Sequence, residues 1–152
     1  MDYQEKIQSL GLVVPPAPKP VGSYVPYVIQ GNTAYVSGQV SKDAQGGIYK
    51  GRLGADLTIE QGKEAAKLAA LNIVSIIRDL IGFQKFVRVL KVVGYVQVSP
   101  DFGEIPQVIN GASDLFTSIF GEAGSHARAA VGVAALPLNA AVEIETILQV
   151  KS

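Results

Sequence analysis

The sequence predicts a single α+β domain in which one sheet of five or six strands carries two long helices on one face. Its length of 152 residues suits one domain. Two segments, 58–81 and 106–120, have apolar residues at helical spacing. The stretches around them are rich in valine and are bounded by glycine, asparagine or proline, which is typical of strands.

Composition and charge exclude several functional classes. Thirteen basic and thirteen acidic residues cancel, whereas a protein that binds nucleic acid or an anionic membrane needs a clustered basic surface. The chain has no cysteine and one histidine, which excludes disulfides, thiolate nucleophiles and zinc sites built from cysteines or several histidines. No apolar run reaches the roughly 20 residues of a membrane span, and the N-terminal segment is polar, unlike a signal peptide. We therefore expect a cytoplasmic protein without a metal site.

The N-terminal segment is predicted to be an arm that leads into the domain along its surface. Residues 3–10 carry apolar side chains at helical spacing and predict one short helix. Four prolines in residues 13–20 exclude a helix there and favour an extended arm on the surface. The predicted division is an arm with a short helix, 1–19, and a domain, 20–152.

Two strands and an irregular loop are predicted next. Residues 24–29 form a strand, Gln30-Gly31-Asn32 a tight turn and Thr33–Ser37 a second strand, since Gly-Asn favours the backbone of a hairpin. Four glycines between Ser41 and Asp56 predict a loop, with a short strand at Ile48–Lys50.

The clearest helix begins at Thr58. Thr58 and Gln61 fit a capping box, in which each side chain satisfies a free backbone N–H of the first turn. Gly82 fits a C-terminal stop. The predicted buried stripe consists of Ala65, Leu68, Ala69, Asn72, Ile73, Ile76 and Leu80.

The longest predicted strand, Phe86–Val98, is apolar on both faces, and a strand of this kind is usually covered on both. The second long helix, Pro106–Phe120, stops at Gly121. Its apolar face consists of Val108, Ala112, Leu115, Phe116 and Ile119. Because two helices cover only one face of the sheet, a homo-oligomer with sheets packed around an axis would cover the other. The alternative is an antiparallel sheet with a moderately apolar open face.

The segment His126–Gln149 is predicted to form two strands joined by a tight Leu-Pro-Leu-Asn connection. Because side chains alternate along a strand, Arg128 shares one face with small residues only. Those residues are Ala130, Gly132 and Ala134, and the opposite set, Ala129, Val131 and Val133, is the natural core side. A floor of small residues leaves room for a ligand whose carboxylate the guanidinium would bind through two parallel hydrogen bonds. The alternative is an ordinary salt bridge.

Other polar residues are weaker candidates. Glu143 and Glu145 share the solvent side of the last strand, where one of them would orient a water or accept a proton; the alternative is a solvated edge. His126 shows no partner in the sequence and is typical of a strand-end histidine. The remaining candidates, each equally explained as ordinary surface, are Tyr24, Ser37-Gly38 and Asn110. The sequence has no GxGxxG, P-loop, GxSxG or metal-spacing motif.

These residues resemble a known family. The segments Ala127–Val131, Leu136-Pro137 and Val142–Glu145 resemble the C-terminal signature of the Rid family (YjgF/YER057c/UK114), the reactive intermediate imine deaminases. Three further segments match its N-terminal pattern: Gly22-Ser23-Tyr24, Gly31-Asn32 and Ser37-Gly38-Gln39. Extra length before residue 20, in 41–56 and around 101–113, indicates a divergent, longer subgroup.

The resemblance implies a fold like that of AroH-type chorismate mutase, with a mixed sheet and two helices on one face. It also implies a homotrimer whose sheets form a central barrel, with a cleft between subunits. In that cleft Arg128 would bind a substrate carboxylate and Glu143 would position a water. The implied binding residues beside Arg128 are Tyr24, Ser37, Gly38 and Asn110.

The implied activity is hydrolysis of 2-imines and 2-enamines to 2-oxo acids and ammonia, without a cofactor. The alternative is a non-catalytic trimer that binds small carboxylates as a sensor or regulator. A ribonuclease, which older descriptions of the family suggest, conflicts with the neutral charge and the lack of a basic surface. The departures from the common pattern, including His126 where proline is frequent, leave the identity of the imine open.

Overall fold

A computed structural model describes residues 1–19 and 22–152. Pro20, predicted as the last residue of the arm and the first of the domain, lies outside the described residues, so the predicted division at 19/20 stays a prediction. The chain forms three helices and a five-stranded sheet in these residues. In chain order they are α1 (Tyr3–Ser9), β1 (Tyr27–Gln30), β2 (Thr33–Val40), α2 (Ile59–Ile76), β3 (Phe86–Gln97), α3 (Ile105–Phe120), β4 (Ala127–Val133) and β5 (Val142–Val150).

The sheet is mixed, with the strand order β1-β2-β5-β3-β4. Strand β4 runs parallel to β3, and the other pairs are antiparallel. The last two strands are therefore not neighbours, because β3 lies between them. The reason is the connection through α3: a helical crossover makes β3 and β4 parallel neighbours, and β5 then takes the other side of β3.

Both long helices pack on one face of the sheet, as predicted. Helix α2 lies against β2 and β5, and α3 lies against β3 and β4. The capping box of Thr58 and Gln61 is present, and every predicted apolar residue of α3 is buried. Leu80 departs from the predicted stripe and is 41% exposed. It lies in a π-helical turn, Ile77–Ile81, which shifts its side chain out of the α-helical phase.

The first strands differ from prediction at their ends. Strand β1 begins at Tyr27 because Pro26 has no N–H to donate to the ladder. Strand β2 continues to Val40 through a bulge between Val36 and Gln39. The predicted short strand at 48–50 is absent from the described elements and is replaced by two isolated bridges, Lys42 to Ile48 and Lys50 to Ala140.

Helix α1 is present as predicted, and its residues pack against the rest of the chain. Ile7 is buried in the core. The Tyr3 ring packs edge-to-face on Phe120 with 4.9 Å between ring centroids, and it also contacts Phe83 and Phe86. The segment is therefore part of the same hydrophobic core as the two long helices.

The face of the sheet opposite the helices is open and carries several exposed apolar side chains. Val28, Tyr35 and Val131 all lie on it, and Val131 is 42% exposed. The prediction that Val131 faces the core was wrong, because α3 packs on the other face of β4. The uncovered sheet face itself is as the sequence predicted.

Candidate functional site

The predicted site residues lie on opposite faces of the sheet. Residues paired across neighbouring strands point to the same face. Arg128 pairs with Val92, which is buried beneath the helices, and Val92 pairs in turn with Thr146. Glu143 shares the open face with Val131, since both pair with the same residue of β3. The sheet therefore separates the guanidinium of Arg128 from the carboxylate of Glu143 within one chain.

Helix α3 holds the Arg128 side chain. Its Nη1 donates to Asn110 Oδ1 at 2.8 Å and to Ser113 Oγ at 3.2 Å. Asn110 and Ser113 are three residues apart on α3 and so share one side of the helix. The Nε and Nη2 donors have no hydrogen-bond partner within residues 1–19 and 22–152. They remain available for a carboxylate, which a guanidinium binds through two parallel hydrogen bonds.

His126 extends this arrangement and is not an isolated strand-end histidine. Its Nδ1 lies 2.6 Å from the Gly124 carbonyl, which can only accept, so Nδ1 carries the proton. Burial lowers the pKa of His126 and the charge of Arg128 adds to this effect, so the ring is neutral at pH 7. Its Nε2 then accepts the hydroxyl proton of Ser113 at 2.9 Å. The Ser113 oxygen is thereby left to accept from Arg128.

Neighbouring side chains fill the space over only part of the floor of small residues beside Arg128. A Cβ added to Gly132 would lie 2.8 Å from Ile105 Cδ1 and Val98 Cγ2, and Ala130 packs against the core. Small residues are thus required here for close packing of the start of α3 on β4. Gly132 and Ala134 also line a second cavity of about 360 Å³ at this end of β4, so part of the predicted room remains open.

The other predicted residues line one cleft with a volume of about 700 Å³. Four of its lining residues were predicted as site residues: Tyr24, Ser37, Gly38 and Glu143. Pro18, Lys19, Lys42 and Leu138 also line it and were missed by the sequence analysis. The structure therefore gathers the predicted residues into two groups, one around Arg128 and one in this cleft.

The bulge in β2 directs two of these residues at the cleft. The β2–β5 register shifts between Val36 and Gln39, which places Ser37 and Gly38 outside the regular ladder. The Ser37 hydroxyl donates to the Val25 carbonyl at 2.5 Å. Because its proton is used there, its oxygen is available as an acceptor for a ligand or a water.

Glu143 packs directly over Gly38. A Cβ at position 38 would collide with the Glu143 carboxylate, so glycine is needed for this approach. Burial raises the pKa of Glu143, and the charge of Glu145 raises it further. A half-buried carboxylate with a raised pKa is a better proton acceptor near neutral pH than a solvated one.

Comparison with known proteins identifies the family. Residues 4–148 match the family described as "YjgF/chorismate mutase-like, putative endoribonuclease". The chain belongs to the YjgF (Rid) family. This match begins within α1, well before the segment that carried the resemblance in the sequence.

Individual relatives of this YjgF-family chain cover nearly all of it. Protein TCP17 of Trypanosoma cruzi is 45% identical over 148 residues, covering 96% of this chain and 92% of the relative. The 2-iminobutanoate/2-iminopropanoate deaminase of Dermatophagoides farinae is 30% identical, covering 90% and 93%. The crystal structure of Atu1372, a protein of unknown function from Agrobacterium tumefaciens, has a TM-score of 0.90 at 39% identity, covering 99% of this chain and 94% of that chain.

The described residues were also compared with the requirements of a metal site and of a membrane-spanning helix. Among the described residues, no group of three or more His, Cys, Asp or Glu side chains is placed to hold a metal ion. No helix in the described part of this YjgF-family chain is long and apolar enough to cross a bilayer.

Ser113 is the site neighbour whose omission has the clearest cause. Its position three residues after Asn110 was a usable signal, since any side chain that bonds to Asn110 lies within reach of Ser113. The sequence alone does not show that β4, which carries Arg128, lies beside this part of α3, so the signal could not be recognised. Lys19 was missed because an extended arm carries no periodicity that indicates where it lies.

Proposed function

We propose that this YjgF-family protein hydrolyses 2-imines and 2-enamines to 2-oxo acids and ammonia in a cleft between two subunits. The observation that carries the proposal is the separation of two complementary groups by the sheet. Among the described residues, Arg128 has free donors but no carboxylate within ion-pair distance, and Glu143 has a raised pKa but no guanidinium in its cleft, where the cations are Lys19 and Lys42. A second copy of the chain that supplies Arg128 to the cleft of the first completes the site.

A homotrimer would supply that second copy. The open face of the sheet exposes Val28, Tyr35 and Val131, and three such faces packed around an axis would bury them. Strand β4 lies at one edge of the sheet and the cleft lies beside β2 near the other. In a closed ring the β4 edge of one subunit meets the β2 side of the next, which brings Arg128 of the partner subunit towards Glu143.

Hydrolysis of an imine requires the imine carbon and the attacking water to be oriented more than it requires a strongly activated water. Nε and Nη2 of Arg128 bind the carboxylate of the imino acid, which fixes the imine carbon relative to a water. Glu143 accepts a proton from that water as its oxygen bonds to the imine carbon, while the C=N π electrons move to the nitrogen, which takes up a proton from solvent. Protonated Glu143 then returns its proton to the amino nitrogen of the tetrahedral intermediate, the C–N bond breaks with its electron pair leaving on ammonia, and the hydroxyl loses its proton to solvent as the C=O bond forms. The Tyr24 and Ser37 hydroxyls line the cleft where they can bond to the attacking water or the nitrogen.

The experiment generates imines in the assay with an amino-acid oxidase and follows 2-oxo acid and ammonia release. We expect the protein to accelerate hydrolysis above the spontaneous rate, and Arg128→Ala to reduce kcat/KM by about 100-fold because orientation is lost. Arg88→Ala is the matched control, since Arg88 is an exposed arginine that bonds to the Ser125 carbonyl at 2.7 Å and lies outside the cleft.

Two outcomes contradict the proposal. Equal rates of imine hydrolysis for Arg128→Ala and the wild type would show that Arg128 does not bind the substrate carboxylate. Saturable, Arg128-dependent binding of a 2-oxo acid in calorimetry, without any acceleration of hydrolysis, would favour the non-catalytic sensor instead.

A further inference from the structure

The N-terminal arm is fastened to the rest of the chain beside the cleft. Arg78 donates from Nη1 to the Val14 carbonyl at 3.3 Å and from Nη2 to the Pro15 carbonyl at 2.8 Å. Asp79 Oδ2 accepts from the Ala17 N–H at 3.0 Å. These bonds hold the arm at three residues between 14 and 17.

Arg78 and Asp79 are themselves held in place. Arg78 Nε bonds to Asp79 Oδ1 at 2.6 Å, so the two side chains form one bidentate unit. Both lie in the π-helical turn Ile77–Ile81 that follows α2, and a π turn is frequent where a helix presents side chains for a specific task. The arm is thus held by two side chains that also bond to each other.

The fastened arm brings a positive charge to the cleft. Pro18 and Lys19 directly follow the fastened residues and line the cleft. Lys42 lines it as well, from a segment whose carbonyl accepts from Asn72 Nδ2 at 2.9 Å. The charged residues of the lining within the described chain are therefore Lys19, Lys42 and Glu143.

The two lysines have charge available for a ligand. In the described part of the chain, neither ammonium lies within 4.0 Å of a carboxylate, and this includes the carboxylate of Glu143. An ammonium on a flexible stem suits a carboxylate whose position varies, because it needs no fixed fork geometry. A cleft that holds one carboxylate through Arg128 therefore offers a separate positive region for a second one.

We propose that the cleft selects imino acids with a second carboxylate on the side chain, such as the imines of aspartate and glutamate. Lys19 and Lys42 bind the side-chain carboxylate while Arg128 of the partner subunit holds the α-carboxylate. The proposal rests on the proposed hydrolase function of the same cleft.

The test compares kcat/KM for the imines of glutamate and of alanine, each generated in the assay by an oxidase. The variants are Lys19→Gln, Lys42→Gln and the double variant, with Lys85→Gln as the control. Lys85 is exposed in the turn before β3 and lies outside the cleft. We expect the glutamate-to-alanine ratio to fall by about threefold in each single variant and about tenfold in the double variant.

Ionic strength gives a second readout that a change in packing would not reproduce. The wild-type preference for the glutamate imine should shrink as salt rises from 0.05 to 0.5 M, since salt screens charges at an open site. The double variant should show no such dependence. A wild-type preference for the alanine imine, or an equal fall of the ratio in Lys85→Gln, overturns the proposal.

The hydrolase function and the preference for a second carboxylate are tested by different measurements, so one can fail without the other. If neither imine is hydrolysed faster than in buffer, the proposed function fails, and calorimetry with 2-oxoglutarate and 2-oxobutanoate then tests the cleft alone. Tighter binding of the dicarboxylate that is lost in the double variant supports charge selection. Equal binding of the two acids overturns it.

Discussion

The edge around Arg128 and the cleft around Glu143 differ in what one chain supplies. At the edge, Asn110 and Ser113 accept hydrogen bonds from the guanidinium, and His126 of the same chain accepts from the Ser113 hydroxyl. In the cleft, Glu143 lies over Gly38, and no cation of the described residues lies within 4.0 Å of its carboxylate, although Lys19 and Lys42 line the same cleft. Hydrogen bonds within one chain thus orient the Arg128 guanidinium, whereas the proposed role of Glu143 depends on an arginine from another subunit.

The largest expected effect comes from exchanging subunits between two inactive variants. Arg128→Ala and Glu143→Ala should each lose about 100-fold in kcat/KM, since each removes one half of the site. Co-expressed in equal amounts, they should recover about one quarter of wild-type activity, because that fraction of clefts draws an intact residue from each of two subunits. The measurement is imine hydrolysis by the purified mixture.

The control for this recovery is co-expression of Arg128→Ala with Arg128→Gln, which leaves no intact cleft in any combination. Recovery in the control, or none in the test mixture, would mean that Arg128 and Glu143 do not act across a subunit boundary.

The next largest effect concerns the open face that would join the subunits. Val131→Asp places a charge where the proposed trimer buries an apolar side chain, and the cost of burying it should dissociate the assembly. Mass measurement by light scattering during size exclusion checks this. Val13→Asp is the control, because Val13 is 69% exposed on the arm. A trimer mass for Val131→Asp would show that this face is not the interface.

A smaller effect is expected from the hydrogen bonds that orient Arg128. Ser113→Ala removes one acceptor and leaves Asn110 in place, so KM should rise about threefold to tenfold with little change in kcat. Ser118→Ala is the control, since the Ser118 hydroxyl bonds to the Leu115 carbonyl at 2.7 Å on the same helix. Equal KM values for the two variants would exclude a positioning role for Ser113.

The pH dependence of KM sharpens this prediction. The pKa of His126 is lowered from its usual 6.5, so the ring gains a proton only below that value. Protonated Nε2 can no longer accept from Ser113, and the new charge adds to that of Arg128. Wild-type KM should therefore rise as pH falls through the lowered pKa of His126, and Ser113→Ala should show a weaker rise. An equal rise in KM for the wild type and Ser113→Ala would show that a titratable group other than His126 causes the pH dependence.

Local patterns in the sequence were enough for the helices and for the uncovered face. The capping box at Thr58 and the stripe of α3 depend on neighbours three and four residues away, so they can be recognised without knowing the fold. The face that Arg128 occupies depends on which strand lies beside β4. Alternation identified the two sets of residues on this strand, but it cannot tell which set meets a helix.

In the candidate site, too, the chemistry of single residues could be predicted from the sequence and their arrangement could not. Arg128 and Glu143 could be chosen as candidates because guanidinium and carboxylate chemistry is a property of the residue, and their roles stay predictions. Their separation by the sheet could not, since it follows from the insertion of β3 between β4 and β5. The partners of His126 were also hidden, because Ser113 reaches it only after α3 has packed on the sheet.

The smallest expected effect is on stability and tests the cleft without any substrate. The pKa of Glu143 is raised above its usual 4.5, so the folded chain binds this proton more tightly than the unfolded chain does. Ionisation therefore costs stability once pH exceeds the raised pKa, and that cost is absent below about 4.5. Glu143→Gln should raise Tm by about 2 °C at pH 7, and the difference should vanish near pH 4. Glu64→Gln, at an exposed position of α2, should change Tm at neither pH. A lower Tm for Glu143→Gln at pH 7 would mean that the cleft stabilises the charged carboxylate, and its proposed role as a proton acceptor would then lose its physical basis.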